Sequence, residues 1–395
     1  MRLLYSIPYF YPAWAYGGPC RAAWELARAL TQKGHEVVVC ATDALDARYR
    51  SKPESEVVEG VEIHRVPNLS NRLAWSRLFL PLNFGGKLAP ELRRADVVHL
   101  HEYRSFQNAA ALPIIQRLGK PFVLTAHGGL PRLMGRYALK QVYDALVGRR
   151  LIQQACRLHA LNSIEREQFA QLGGRPEQIV VAPNGINVEE YRILPAVEAG
   201  AFRRHYNIPA DAPLVLFLAR INKIKGVDFL ASAFAEVRRE LPQAVLAIAG
   251  PDDGYLPEVK RQIELLGLAD SVRFTGYLGG AAKIEAYQAA NVYVLPSTYE
   301  ILGITLLEAL ACGATVITTD RCGLADSIQQ NDLGAVVKFG DANGLKDEIV
   351  RALKNPADPP RAEQRRNYVL ANFSWDKIAE RWETIYQQCQ RGSGL

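Results

Sequence analysis

Residues 96–129, DVVHLHEYRSFQNAAALPIIQRLGKPFVLTAHGG, contain the pattern that repeats through most of the chain. Two short apolar runs, DVVHLH (96–101) and PFVLTA (121–126), flank a segment with helical periodicity, and a histidine and two glycines follow the second run. A strand, a helix and a second strand form a βαβ unit, which makes the strands parallel in a sheet covered on both faces. This stretch therefore predicts an α/β fold.

The same alternation runs through the rest of the chain and restarts once. Before the segment PNGINVEEYRILP (183–195), further strands are predicted at 2–7, 36–41, 61–66, 157–161 and 178–182. After that segment they are predicted at 214–219, 244–249, 272–276, 292–296 and 314–318. A chain of 395 residues also exceeds the roughly 250–300 at which single cores stop growing. Two Rossmann-like domains are predicted, 1–190 and 191–374, followed by an amphipathic helix in 375–395.

Composition places the chain among ordinary globular proteins, with 49% hydrophobic and 22% charged residues. Its six cysteines form no CxxC pair or Cys/His cluster, which argues against a disulfide framework and a zinc site and favours a reducing cytoplasm. Pro8 and Pro12 interrupt the only short apolar stretch at the N-terminus, and no apolar run approaches the roughly 20 residues that span a bilayer. A soluble, cytoplasmic protein is expected.

The net charge of +6 is concentrated in the first half, where residues 1–190 hold 24 Lys+Arg against 17 Asp+Glu. Stretches 65–94 and 132–150 are the most basic, with six and five basic residues against one acidic residue each. The first also contains Leu73, Trp75, Leu78, Phe79 and Leu80, which are apolar. This mixture fits either contact with an anionic membrane surface or a solvated basic face over core residues. It matches no nucleic-acid-binding module.

Candidate binding residues follow the predicted strands directly, where ligands of open parallel sheets bind. They are Gly17 and Gly18, His127, Arg220, Lys225, Glu300, Gly303 and Glu308. Each of these residues could instead have a structural role without binding a ligand. Glycine pairs often form turns, a single histidine is often hydrogen-bonded within the protein, and basic side chains are usually solvated. Neither GxGxxG nor GxxxxGK[ST] occurs, which weighs against dinucleotide cofactors and P-loop nucleotides.

The two glutamates are open to two interpretations. Both Ser297-x-x-Glu300 and Thr305-x-x-Glu308 match the capping box, in which a glutamate satisfies backbone amides at a helix start. Yet Glu308 lies in an apolar helix, where an unpaired carboxylate costs several kcal/mol and requires donors. Two cations, two carboxylates and glycine turns together suit a ligand with a diphosphate and many hydroxyl groups, such as a nucleotide sugar.

These residues resemble the retaining glycosyltransferases of family 4, which have the GT-B fold. The resemblance covers nearly the whole chain. It rests on the E-x7-E pair of Glu300 and Glu308 after VYVLPS, together with LARINKIKG (218–226), TAHGG, GGP and FSWDKIAERW. It implies two Rossmann-like domains that face each other across a cleft, the first on the acceptor side and the second binding the donor. The C-terminal helix is expected to cross back to the first domain.

The resemblance also implies residue roles. Arg220 and Lys225 grip the donor diphosphate, Glu300 holds hydroxyls of the transferred sugar, Glu308 accepts from the ribose, and His127 contacts the sugar near the acceptor. The remaining donor contacts are Gly17, Gly18, Gly250, Tyr277, Leu278, Leu302, Gly303 and Ile304. This sequence departs from the family pattern in two places: Ile301-Leu302 leave the shape of the sugar pocket open, and Asn187 replaces an aspartate of the linker motif.

The expected activity is that of a retaining hexosyltransferase that needs no metal and no cofactor, using a UDP-sugar first and GDP-mannose second. The expected acceptor is a saccharide or a lipid-linked saccharide in surface polysaccharide synthesis, with contact to the inner face of the cell membrane and none to nucleic acid. A nucleotide-sugar epimerase of the same fold and a non-catalytic nucleotide-sugar-binding protein are the alternatives.

Overall fold

The computed structural model describes residues 1–131, 137–191, 196–355 and 359–392. The chain forms two compact units, one made of residues 1–185 together with 375–395 and the other of residues 186–374. The boundary predicted from the sequence lay after residue 190.

The first unit is built on an eight-stranded sheet in the order β3-β4-β2-β1-β5-β6-β7-β8. All its strands are parallel except β3, which runs antiparallel to β4 at the edge. The strands are β1 (Arg2–Ser6), β2 (Glu36–Thr42), β3 (Ser55–Val58), β4 (Val61–Val66), β5 (Val97–His101), β6 (Phe122–Thr125), β7 (Arg157–Ala160) and β8 (Ile179–Val181). Central strands such as β1 and β5 are buried along their whole length, as expected of a sheet covered on both faces.

Helices cover both faces of this sheet. They are α1 (Gly18–Gln32), α2 (Asn71–Trp75), α3 (Phe84–Arg94), α4 (Phe106–Leu118), α5 (Tyr137–Tyr143), α6 (Arg149–Gln154) and α7 (Ser163–Gln171), with a π-helical turn, Asp144–Gly148, between α5 and α6. Helix α1 begins with Pro19 in its first turn, where the missing N–H of proline removes no hydrogen bond. Ser105 caps α4 by accepting from the backbone N–H of Asn108 at 3.1 Å.

The second unit has a six-stranded, fully parallel sheet in the order β11-β10-β9-β12-β13-β14. Its strands are β9 (Leu214–Leu218), β10 (Val245–Ala249), β11 (Val272–Gly276), β12 (Val292–Leu295), β13 (Val316–Thr319) and β14 (Gly334–Val337). Its helices are α8 (Ala196–His205), α9 (Val227–Glu240), α10 (Leu256–Leu265), α11 (Gly280–Ala289), α12 (Ile304–Ala311), α13 (Ala325–Gln330), α14 (Ala342–Lys354) and α15 (Pro359–Phe373). One apolar core extends through this unit.

Helix α16 (Trp375–Gly392) belongs to the first unit and packs against β5, β6 and α1. Trp382 and Ile385 are buried among residues of β1, β2 and α1, so the apolar stripe of the helix covers the first sheet. Within the described residues, no helix is long and apolar enough to cross a membrane.

The expectation that the cysteines form no disulfide is wrong for one pair. Cys156 and Cys389 are joined, with their Cα atoms 5.5 Å apart although 233 positions separate them in the sequence. Their spacing carries no signal because only the return of α16 to the first sheet brings them together. The bond also removes the argument for a reducing compartment that rested on cysteine usage. Cys20, Cys40, Cys312 and Cys322 are free and buried.

Every strand predicted from an apolar run is present, with ends that differ by two residues at most. Two edge strands, β3 and β14, were not predicted. Both are four residues long, and β3 alternates exposed and half-buried positions instead of forming an apolar run. An edge strand with little buried surface leaves little hydrophobic signal in the sequence.

Candidate functional site

Each sheet has a position where the strand order reverses, and the candidate residues follow strands at this position or next to it. In the first sheet the reversal lies between β1 and β5, and in the second between β9 and β12. Connections leave in opposite directions at such a point and open a crevice at the carboxyl ends of the strands. His127 follows β6, next to β5, whereas Lys225 follows β9 and Glu300 follows β12.

In the second unit, two glycines allow the loops after these strands to approach closely. A Cβ atom on Gly226 would lie 2.1 Å from the carbonyl oxygen of Pro296, and one on Gly250 would lie 1.8 Å from that of Ala219. Both glycines have positive φ, 69° and 141°. Only glycine permits this contact between backbones, which draws the ends of β9, β10 and β12 together.

Lys225 and Glu300, predicted to bind the diphosphate and the sugar, are in direct contact. Lys225 Nζ donates to Glu300 Oε2, and both side chains are mostly buried. The backbone holds this pair in place, since the N–H of Glu300 donates to the carbonyl of Arg321 at 3.1 Å and the carbonyl of Glu300 accepts from Gly323 at 2.8 Å. A cation and a carboxylate thus stand side by side at the strand reversal.

Arg220 lies on the exposed side of the same strand ends. Its guanidinium donates to Asp253 at 2.6 Å, and Asn222 donates to the same carboxylate oxygen at 2.8 Å. Because Arg220 and Asp253 are exposed, the ion pair is worth little and its guanidinium remains available to an anionic ligand.

Glu308 is buried, with 7% of its surface exposed, and three side chains donate to it. Oε1 accepts from Tyr191 at 2.7 Å and from Lys283 at 2.8 Å, and Oε2 accepts from Tyr287 at 2.9 Å. Lys283 supplies the positive charge that makes a buried carboxylate tolerable. Two carboxylate oxygens offer about four acceptor sites, so one remains for a further donor such as a ligand hydroxyl.

The capping interpretation is wrong for both glutamates. Helix α12 begins after Gly303, which has a φ of 74° and makes no side-chain cap. The Glu308 carboxylate bonds to side chains and not to the backbone at this end, while Thr305 Oγ1 contacts the hydroxyl of Tyr293 at 2.7 Å. Glu300 lies in the loop before the helix.

The other predicted donor contacts lie at the same edge of the second sheet. Gly250 donates its N–H to the carbonyl of Gly276 at 2.8 Å, which ties the loops after β10 and β11 together. Tyr277, 76% exposed, and buried Leu278 follow β11. Leu302, Gly303 and Ile304 form the entry to α12, with Leu302 buried. Asn187, at the family's linker position, donates to Glu190 at 3.0 Å.

The remaining predicted residues lie in the first unit. Gly17, with a φ of 92°, precedes the first residue of α1, Gly18. Pro19 lines a cavity of about 300 Å³ together with His127 and the two glycines that follow it. Glu165 holds this loop, because its carboxylate accepts from the N–H of Gly128 at 2.7 Å and of Leu161 at 2.8 Å. The structure thus brings the starts of these two segments to one cavity.

His127 adopts a positive φ of 51° and is half-buried. Its Nε2 lies 2.9 Å from Nδ1 of His101, and its Nδ1 has no hydrogen-bond partner among the described residues. Burial, which disfavours the charged imidazolium, lowers the pKa of His127 to about 3. His127 is therefore neutral at physiological pH, with one ring nitrogen left for a ligand.

Near His127, buried polar groups are hydrogen-bonded in a row from Tyr386 of α16 to Ala182, the residue after β8. The carbonyl of Ala182 accepts from His159 Nε2 at 2.7 Å, which leaves His159 Nδ1 to accept from the hydroxyl of Thr125 at 2.9 Å. Thr125 then accepts from His99 Nε2 at 2.7 Å, and His99 Nδ1 accepts from Tyr386 at 2.8 Å. The rings of His159 and His99 are thus both fully hydrogen-bonded in their neutral form.

The buried histidines His99, His101 and His159 predict that the protein loses stability in acid. Burial lowers the pKa of His159 to about 4 and holds those of His99 and His101 well below the usual value. Because the unfolded chain takes up protons first, the stability that neutral His159 contributes is complete above about pH 6.5 and is lost as the pH falls toward 4. At about 1.4 kcal/mol per pKa unit, the loss is roughly 3 kcal/mol.

Melting temperatures of the wild type and His159→Gln between pH 8 and pH 4 test this prediction. We expect the variant to lose less stability than the wild type as the pH falls, because it has one buried imidazole fewer. The comparison is needed because burial raises the pKa of Glu165 to about 7, which makes that carboxyl act in the opposite direction. His64→Gln, at a partly exposed position on β4, is the control, and equal pH slopes in all three proteins would contradict the prediction.

The two basic stretches differ from the sequence expectation in detail. Leu73 and Trp75 are exposed, Trp75 by 50%, but Phe79 is buried against Tyr9 and Tyr16 and belongs to the core. Exposed apolar residues continue along the described part of the second stretch, at Tyr137, Leu139, Val142 and Leu146. Residues 132–136 of that stretch lie outside the described residues.

Sequence reasoning missed the residues that support the predicted ones. Tyr191, Lys283 and Tyr287 hold Glu308, and Arg77, Glu102 and Gln107 line the first-unit cavity. No local motif marks them, although Glu102 directly follows a predicted strand as His127 does. Among the described residues, no three His, Cys, Asp or Glu side chains group as metal ligands would.

Two family models match the chain in succession. Residues 16–190 match the model described as Glycosyltransferase Family 4, and residues 199–370 match the model described as Glycosyl transferases group 1. Together they account for most of both units.

Proteins of similar sequence and structure agree with these matches. The chain is 28% identical over 393 residues to an uncharacterized glycosyltransferase of Methanocaldococcus jannaschii, covering 95% of this chain and 96% of that protein. It is 30% identical over 323 residues to D-inositol 3-phosphate glycosyltransferase of Segniliparus rotundus, covering 77% and 69%. The structure of Anabaena Alr3699/HepE, solved with UDP and glucose, superposes with a TM-score of 0.74 at 18% identity, covering 98% and 99%.

Proposed function

The chain belongs to glycosyltransferase family 4 and has the GT-B fold, and we propose that it is a retaining hexosyltransferase that moves a sugar from a nucleotide diphosphate donor to a saccharide acceptor. A UDP-sugar is the preferred donor, with GDP-mannose second. The fold neighbour solved with UDP and glucose supports this preference. The product belongs to surface polysaccharide synthesis.

The contact between Lys225 and Glu300 carries the proposal. It places a cation for the diphosphate beside a carboxylate for sugar hydroxyls, at the strand reversal where ligands of parallel sheets bind. The N-terminus of α12 follows within four residues of Glu300, and its free backbone N–H groups favour a phosphate. Glu308, on the same helix, retains acceptor capacity for the ribose.

In the proposed reaction, the bond between the anomeric carbon and the diphosphate oxygen breaks as an acceptor hydroxyl attacks from the same face. The leaving phosphate oxygen takes the proton of that hydroxyl, so no side chain serves as nucleophile and the anomeric configuration is retained. Lys225 and Arg220 stabilise the negative charge that develops on the leaving group, and they do so more strongly in the transition state than in the bound donor.

This charge stabilisation requires neither a metal nor a cofactor in the proposal. Lys225 and Arg220 carry two positive charges at the strand ends, and the dipole of α12 adds a partial positive charge. Transfer is accordingly expected to persist in excess EDTA.

A thermal-shift panel of UDP, GDP, ADP and their sugars tests the proposed function. A ligand bound only by the folded state raises the melting temperature. At a ligand concentration of 100 times its Kd, the free energy of unfolding increases by about 2.7 kcal/mol. We expect the nucleotide of one base to raise the melting temperature more than the others, and the sugar conjugate of that nucleotide to raise it as well. Absence of a shift with every nucleotide would contradict the proposal, and isomerisation of the sugar without an acceptor would favour an epimerase.

The acceptor is proposed to be lipid-linked and to lie at the inner face of the cell membrane. The exposed Leu69, Leu73, Trp75 and Leu82 share one basic stretch with Arg72 and Lys87, which are also exposed. Apolar side chains among basic ones fit the boundary between anionic headgroups and acyl chains.

Co-sedimentation with liposomes tests this part of the proposal. We expect the protein to sediment with phosphatidylglycerol-containing vesicles at low salt and to be released at high salt, because charge attraction is screened. The double variant Leu73→Ser/Trp75→Ser is expected to bind several-fold less. Leu265→Ser/Leu266→Ser, at exposed leucines of the second unit, is the control. Failure of the wild type to sediment would leave a soluble saccharide as the acceptor.

A further inference from the structure

The first unit contains a cavity of about 300 Å³ beyond the carboxyl ends of β1, β5 and β6. Its lining includes Tyr9, Arg77, Glu102, Gln107 and His127, of which only His127 was singled out by the sequence. Because β1 and β5 are the strands at which the order of the first sheet reverses, the cavity occupies the crevice that this fold opens for ligands.

Backbone strain is concentrated in this cavity. Seven non-glycine residues of the described chain have a positive φ, and three of them, Arg77 at 63°, Glu102 at 66° and His127 at 51°, line this one space. Residues other than glycine rarely adopt this backbone conformation. It persists where the surrounding structure imposes it, most often at ligand sites. Three strained residues from three separate loops point to a built site.

Gln107 supplies the second, independent observation. It lies in the first turn of α4, it is 0% exposed, and neither its amide nitrogen nor its amide oxygen has a hydrogen-bond partner among the described residues. Burying an amide without partners is costly, and nearly all buried polar groups have a partner. A ligand in the cavity would provide the hydrogen-bond partners that Gln107 lacks among the described residues.

The polar groups of the cavity define the chemistry of that ligand. An amide offers two donors and an acceptor, Nδ1 of His127 is unpartnered among the described residues, and Glu102 accepts from the hydroxyl of Tyr9 with acceptor capacity left over. Hydroxyl groups both donate and accept, so neighbouring hydroxyls on one ring satisfy all three side chains.

Charge in the cavity is balanced, which favours an uncharged ligand. Asp144 takes up the charge of Arg104, with contacts of 2.7 and 2.8 Å. The remaining cation, Arg77, is flanked by the rings of Tyr9 and Tyr16 and is opposed by Glu102. An anionic group on the ligand would meet the Glu102 carboxylate in the same space.

From these observations we infer that the cavity binds one uncharged polyhydroxylated ring, a sugar or a cyclitol, and that Gln107 and Glu102 determine its specificity. The assignment rests on the proposed function in one respect, which is that this ring is the end of the acceptor that receives the transferred sugar. The binding site itself is a property of the first unit.

Ligand-observed NMR titrations of the full chain test the inference with named probes. The uncharged probes are the methyl glycosides of glucose, galactose, mannose and N-acetylglucosamine, and myo-inositol; glucose 6-phosphate is the charged probe. We expect saturable binding of at least one uncharged ring, and affinity for that ring about tenfold lower in Gln107→Met, which keeps the side-chain length but removes the amide. Gln116→Met, on the same helix outside the cavity, should match the wild type.

The melting temperature of the unliganded variant separates binding from a structural role. Removing a buried amide that has no partner among the residues the structure describes should leave the melting temperature of Gln107→Met equal to or above that of the wild type. A lower value, unchanged sugar affinity, absence of binding by every uncharged probe, or preference for glucose 6-phosphate would each overturn the inference. UDP affinity should be unchanged in Gln107→Met, so loss of sugar binding with intact UDP binding isolates this site from the proposed donor site.

Discussion

Replacement of Glu308 by glutamine is expected to weaken the binding of both UDP and uridine by about 10- to 100-fold. The proposed role of the carboxylate is to accept from the ribose, and a hydrogen bond to a charged group is worth about 1.5–3 kcal/mol. Because uridine and UDP share the ribose, the loss should be similar for both. Isothermal calorimetry at a temperature where the variant is folded measures it.

The same substitution also removes the counter-charge of Lys283, so a loss of stability must be separated from a loss of binding. Glu308→Ala, which removes the carboxylate that accepts from Lys283 and two tyrosine hydroxyls, is expected to cost about 3–5 kcal/mol. In a unit of this size that lowers the melting temperature by roughly 10 °C.

Tyr287→Phe provides the control for Glu308, since it removes one donor to the carboxylate and leaves the carboxylate itself. We expect a modest fall in melting temperature and nucleotide affinity within a few-fold of the wild type. If Glu308→Gln folded and bound UDP as tightly as the wild type does, Glu308 would be a structural residue only.

Lys225→Met is expected to weaken UDP binding by about 10- to 100-fold while uridine binding changes little. The proposed contact of Lys225 is with the diphosphate, which uridine lacks, and a charge-assisted hydrogen bond to phosphate is roughly twice as strong as a neutral one. Loss of the ammonium also leaves Glu300 as an unpaired carboxylate near the phosphates. The effect on UDP therefore combines a lost attraction with a new repulsion.

Lys223→Met is the matched control, because Lys223 lies in the same short helical turn but is exposed. It should bind both ligands as the wild type does, which excludes a general effect of net charge. The double variant Lys225→Met/Glu300→Gln should recover part of the UDP affinity by removing the repulsion. Equal losses of UDP and uridine affinity in Lys225→Met would instead indicate a distorted loop, since Asn222 caps this turn at the N–H of Lys225.

The family and the fold were predictable from the sequence. Apolar runs of four to seven residues separated by helical segments predict parallel strands. The resemblance that included Glu300 and Glu308 predicted the family, which the two family models confirm. Such signals are local: a buried strand must be apolar along its length whatever surrounds it. Their positions directly after predicted strands also marked Arg220, Lys225 and His127 as candidate binding residues.

Tertiary structure alone decided which residues pair with each other across long stretches of the sequence. Cys156 meets Cys389, and Tyr191, Lys283 and Tyr287 converge on Glu308 from segments far apart in the sequence. The sequence left capping and ligand binding equally open for Glu308, because a local pattern cannot indicate which distant donors reach a carboxylate.

Gln107 illustrates the same division. In the sequence it is an ordinary polar residue near the start of a helix, where most glutamines are solvated. The packing of α4 against the strand reversal buries it without a partner in the described part of the chain, and only that packing makes it a candidate for ligand binding. The sequence alone therefore determined which elements form and which chemistry they bring to the strand ends, since both depend on local pattern. The tertiary structure decided which side chains are buried, which of them pair and how their charges are balanced, because all three depend on contacts between distant segments.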